Sequence, residues 1–87
     1  MPRYYPTSED MWLADRRGPA TLILSDGSAW EVGEGDCDKI AHWVRFSTME
    51  VLETVIGGRP VYVLANRSFG TDVRAKFLGM REELGAA

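Results

Sequence analysis

The 87-residue chain carries a single cysteine, Cys37, and a single histidine, His42. One thiol excludes an intrachain disulfide framework. The paired Cys or His spacings of a zinc site are missing, although Cys37 and His42 lie beside the carboxylates of Glu34, Asp36 and Asp38. A calcium loop needs oxygen ligands at alternating positions around a sharp Gly turn, and only Asp36 and Asp38 comply. A nucleophile reading, Cys37 or Ser47 with His42 as base and Asp38 orienting it, has sequence proximity but no flanking hydrolase motif. Gly33, Gly35, Gly57, Gly58 and Gly70 are spaced as turns and make no phosphate-cradling loop. No apolar run reaches the length of a membrane-spanning helix. No charged-then-apolar leader opens the sequence, so the expectation is a cytoplasmic protein with no metal, no cofactor and no enzymatic activity.

What is present reads as one small globular domain. Apolar residues make up 45% and charged residues 26%, ordinary values for a chain that folds. The net charge of −3 argues against a general binder of nucleic acid or anionic membrane. Charge is nonetheless unevenly placed: Asp26, Glu31, Glu34, Asp36 and Asp38 crowd the first half. Arg59, Arg67, Arg74, Lys76 and Arg81 face only Asp72 among them in the second.

The strongest local signal is Leu22 to Val32, where strand-favouring residues flank Asp26-Gly27. A two-residue turn there sets Ile23 opposite Trp30 and Thr21 opposite Val32, so that Thr21, Ile23, Trp30 and Val32 share the core face. Burying Trp30 removes about 150–250 Å² from water, worth about 4–6 kcal/mol before entropy. Trp43, Val63 and Val73 are expected to share its core. Residues 1–19, punctuated by Pro2, Pro6 and Pro19, read as an N-terminal arm. Gly33 to Trp43 reads as a loop with one helical or 3₁₀ turn. Residues 47–56 fit either a capped helix or a strand, and the β-branched Val51, Thr54, Val55 and Ile56 favour the strand. From Asp72, Val73, Ala75 and Phe77 alternate with the outward Arg74 and Lys76 until Gly79 ends the strand. Strands are therefore predicted near 20–25, 28–33, 50–56, 60–66 and 72–78. They make a five-stranded small barrel over 20–79, followed by an 80–87 tail.

Three stretches carry a family likeness: Leu24-Ser25-Asp26-Gly27-Ser28-Ala29-Trp30-Glu31-Val32 followed by Trp43, Val63-Leu64-Ala65-Asn66 with Gly70, and Val73-Arg74-Ala75-Lys76-Phe77-Leu78-Gly79. In these the chain resembles a loose group of small bacterial β-domain proteins, mostly without assigned function, over about residues 20–79. The resemblance implies a small barrel of SH3-like or similar character and brings no catalytic or binding residues. Ser47-Thr48-Met49-Glu50 stands where that group has a Pro-Gly-Asp turn, and the arm has no counterpart in it.

Two functional expectations follow. The first is a non-enzymatic protein-interaction or adaptor module, contacting a protein partner through Tyr4, Tyr5, Trp12 and Phe69 or another copy through an edge strand. The alternative is a weak nucleic-acid-binding barrel using Arg67, Arg74 and Lys76 on a basic strand face.

Overall fold

The structure, a computed structural model, describes Tyr4 and residues 10–80. It is all-β apart from a 3₁₀ turn (Glu34–Asp36) and one turn of helix, α1 (Cys37–Ile40). Six strands, β1 (Met11–Arg17), β2 (Thr21–Leu24), β3 (Ser28–Val32), β4 (Thr48–Ile56), β5 (Arg59–Asn66) and β6 (Thr71–Met80), are all antiparallel. They close into a ring in the order β1-β2-β3-β6-β5-β4, with β4 returning to β1.

The count of five strands is corrected to six, because the second half of the expected arm is β1. Met11 and Leu13 face inward and are buried while Trp12 between them faces out, the alternation a strand imposes. Pro19 does not interrupt β1, since it falls in the turn that follows, beside Gly18 at φ +67. A register shift between Leu13 and Asp15 then lets β1 follow β2.

The β2–β3 hairpin forms where expected but one residue out of the expected register. Leu22 pairs with Trp30, Ile23 with Ala29 and Thr21 with Glu31. The reason lies in the turn, which has three residues, Ser25, Asp26 and Gly27. Only Gly27 takes a positive φ (+88), and its N–H donates to the Leu24 carbonyl at 2.9 Å. Asp26 closes the turn with its side chain, Oδ1 accepting from the Ser28 N–H at 2.9 Å and the Ser28 hydroxyl at 2.5 Å. Trp30 is inside as expected, but its companions on these strands are Leu22, Leu24 and Val32 rather than Thr21 and Ile23.

Residues 48–56 are strand. β4 and β5 pair from Met49–Asn66 to Ile56–Arg59 around Gly57-Gly58, whose φ angles of +60° and +77° suit a tight two-residue hairpin turn. Leu64 takes the core position expected of Val63, which is only half-buried. In β6, Val73, Ala75 and Phe77 point inward, and Arg74 and Lys76 are exposed, as the alternation predicts. Gly79 does not end β6. It continues to Met80 across a register shift that leaves Leu78 as the extra residue between the Ala29–Gly79 and Trp30–Phe77 pairs.

The core is aromatic at its centre. Trp30 packs against Phe77 and Tyr62 with ring centroids 5.1 and 5.3 Å apart, and Tyr4 lies edge-on to Trp30 at 5.0 Å. Ile40 at the end of α1 and Trp43 beyond it are buried in the same cluster. Arg16 from β1 fastens that segment by donating to the carbonyls of Ile40 and, at 3.0 Å, Trp43.

Candidate partner-binding surface

The ring closes where β1 meets β4, and that junction collects the exposed aromatic side chains. Only two pairs, Met11–Met49 and Trp12–Thr48, join these strands. Thr48 is the pivot: its N–H donates to the Ser68 hydroxyl at 3.0 Å, and its carbonyl accepts from the Arg67 N–H at 2.8 Å. The junction is extended by the segment before β4, where Leu13 N–H donates to the Ser47 carbonyl and Phe46 N–H to the Leu13 carbonyl, at 2.9 and 2.8 Å. Three short stretches, residues 12–13, 44–48 and 67–69, are thus laced together by backbone bonds. Each displays one large aromatic: Trp12 is 44% exposed, Phe46 70% and Phe69 47%. Val44 adds a fourth apolar side chain at 58%.

Local chemistry fixes each of these groups. Phe69 is held by an Asx turn in which Asn66 Oδ1 accepts from the N–H groups of Ser68 and Phe69 at 3.0 and 3.1 Å. Phe46 has φ +69, the one non-glycine residue among those described with a positive φ. A left-handed conformation costs a side-chain-bearing residue about 1–2 kcal/mol, and such strain concentrates at functional sites. The Ser47 hydroxyl bonds the Val44 carbonyl at 2.6 Å and holds the turn. Arg45 Nε donates to the Ala14 carbonyl at 2.9 Å, and its guanidinium carbon lies 5.4 Å from the Phe46 ring centroid. Arg67 and Glu50 form an ion pair at the margin.

Of the residues expected to meet a partner, Trp12 and Phe69 are exposed on stretches that meet at this junction. Tyr5 lies outside the described residues. Tyr4 is buried, 3% exposed, and belongs to the core, so its ring offers no surface to a partner. Phe46 escaped the sequence reading, and Val44 enters it only by its helical spacing with Ile40 and Trp43. The signal that could have found them is the run Val44-Arg45-Phe46, whose apolar-polar-apolar alternation sets two large apolar side chains on one side of a stretch that lies between the helical turn and the next strand.

The basic candidates do not form a stripe. Arg67 is engaged by Glu50, Lys76 pairs in register with Glu31, and Arg74 borders an open groove shared with Asp36, Lys39 and Asp72. Cys37 is half-buried with its thiol 3.6 Å from the Gly33 carbonyl, His42 is exposed, and the buried Ser47 hydroxyl is committed to the turn. Among the described residues no three His, Cys, Asp or Glu side chains are grouped to hold a metal ion, and no helix is long and apolar enough to cross a membrane. Comparison with family models, with curated proteins and with solved structures found no match.

Proposed function

We propose that the chain is a non-enzymatic protein-interaction module, an SH3-like small barrel acting in the cytoplasm, whose contact surface is the rim formed by Trp12, Phe46, Phe69 and Val44. The observation that carries the reading is the convergence of three half- to mostly exposed aromatics on one backbone-laced junction, one of them held there in a strained conformation. Large aromatics give much contact area for little rotamer entropy, which is why they dominate the binding energy of interfaces. The partner is a protein with an apolar patch, with a second copy of this chain among the candidates. Among the described residues, β4 pairs with β1 only at Thr48 and Met49, which supports association through a strand edge. Nucleic acid is the weaker reading because acidic side chains accompany each basic candidate.

The test is capture and self-association by the full chain, at low and high salt and with nuclease, compared with Trp12→Ala and Phe46→Ala. Each substitution is expected to weaken capture or self-association about tenfold or more while leaving the far-UV spectrum and cooperative unfolding intact. Capture unaffected by both substitutions refutes the rim. Capture that collapses with salt and nuclease replaces it with the nucleic-acid reading.

A further inference from the structure

Tyr4 enters the core from outside the sheet. The six strands close their ring without it, and it belongs to none of them. Its phenol ring stands edge-on to Trp30, Phe77 and Tyr62, with centroids 5.0, 5.4 and 6.3 Å away. Its hydroxyl donates to Asp26 Oδ2 at 2.6 Å and lies 3.3 Å from Met11 Sδ. The Tyr62 hydroxyl serves its backbone, accepting from the Tyr4 N–H at 3.2 Å and lying 3.4 Å from the Tyr4 carbonyl oxygen. Walls from β3, β5 and β6, a carboxylate at the floor and one hydroxyl for the main chain are the parts of a recognition pocket, not of a strand.

We propose that this slot is a binding site for a tyrosyl residue within a peptide, loaded in cis by Tyr4. It shares no residue with the exposed rim, so it stands or falls independently of the interaction reading. The ligand class follows from the occupant. The rings of Trp30, Phe77 and Tyr62 fit a flat six-membered ring, and Asp26 demands a donor at its para position, which tyrosine has and phenylalanine lacks. The Asp26 carboxylate is pre-set for that donor, because its other oxygen is already bonded to the N–H and hydroxyl of Ser28. Ser28 in turn accepts from the Trp30 indole at 2.8 Å, which fixes the wall of the slot to its floor. Tethering gives Tyr4 a high effective concentration, so an outside tyrosyl group competes only when Tyr4 is removed or released.

The test uses the full chain with Tyr4→Ala and two probes, N-acetyl-tyrosinamide and N-acetyl-phenylalaninamide, followed by the ¹H–¹⁵N signals of the tryptophan indoles. The expected result is saturable binding of the tyrosine amide that moves the Trp30 indole signal and leaves that of Trp12 in place. A hydrogen bond to a charged acceptor predicts about tenfold or more preference over the phenylalanine amide. The unaltered chain should respond at least about tenfold more weakly, its own Tyr4 competing. If Tyr4→Ala is unfolded, ligand linkage predicts that the tyrosine amide restores the folded far-UV spectrum at concentrations where the phenylalanine amide does not. No binding and no refolding up to about 10 mM, the limit of a weak specific complex, or equal action of both amides, overturns the proposal.

Discussion

Replacing Ser28 by alanine removes one buried oxygen and tests whether the hairpin turn and the aromatic core are one unit. Ser28 is fully buried, its hydroxyl donating to Asp26 Oδ1 at 2.5 Å and accepting from Trp30 Nε1 at 2.8 Å. The Ser28 N–H keeps its own bond to Asp26, so the turn itself is not deleted. Two losses follow. The Trp30 indole N–H is stranded in a fully buried site, which costs about 1–3 kcal/mol. The Asp26 carboxylate loses one charge-assisted donor but is half-buried and keeps Tyr4, so that loss adds about 1 kcal/mol. The sum, about 2–4 kcal/mol, corresponds to a fall in Tm of about 10–30 °C for a domain of this size. Urea unfolding should show the lower midpoint at unchanged slope. In a Trp30→Phe background no indole N–H is left to strand, so the same substitution should cost about 1–3 kcal/mol less, a coupling a double-mutant cycle resolves. A cost below about 0.5 kcal/mol, or one equal in both backgrounds, refutes the link between turn and core.

Phe46→Gly should separate stability from binding: glycine takes φ +69 without strain, so the variant is expected to gain about 0.5–1 kcal/mol in urea unfolding while losing capture at the rim. A loss of stability would mean that the Phe46 ring packs more than its backbone strains. Alkaline unfolding tests Tyr4. Burial first, then the hydrogen bond to and the charge of Asp26, raise its pKa far above the usual 10.0. A phenol more acidic in the unfolded chain than in the folded one contributes stability that is complete below about pH 10 and is lost as pH rises toward the folded value. Plots of Tm against pH from about 8 to 12 should therefore fall less steeply above pH 10 for Tyr4→Phe than for the parent chain, and parallel plots would refute the assignment.

The strand segments were legible because they carry their own local signals. Turn residues at Asp26-Gly27, Gly57-Gly58 and Asn66 to Gly70 bracket runs whose alternation is self-consistent, and all five expected strands appear within two residues of their predicted bounds. The last, β6, starts one residue early and overruns its predicted end by two because Gly79 sits beside a bulge instead of at a terminus. β1 was hidden because Met11-Trp12-Leu13 has no polar partner in the alternation, so nothing in the sequence says that its middle residue faces out.

Register and exposure were less legible, for a common physical reason. The number of residues in a turn sets the parity of the strand that follows it, and parity decides which side of the sheet a ring occupies. Asp26 makes the β2–β3 turn three residues long through its own side-chain bonds to Ser28, which sets Leu22 and Leu24 on the Trp30 face in place of Thr21 and Ile23. Residue type alone treats Trp12 and Trp30 alike, as large apolar groups flanked by strand formers. They end on opposite sides because β1 and β3 enter the ring with different parity. Phe46 lies between elements, where no parity applies, and its place is set by its N–H bond to the Leu13 carbonyl and by the Leu13 N–H bond to the Ser47 carbonyl, both of which tie this segment to β1. The rim is therefore a product of ring closure: the same junction that completes the sheet joins the stretches that carry Trp12, Phe46 and Phe69, which are far apart in sequence and carry no common local signal.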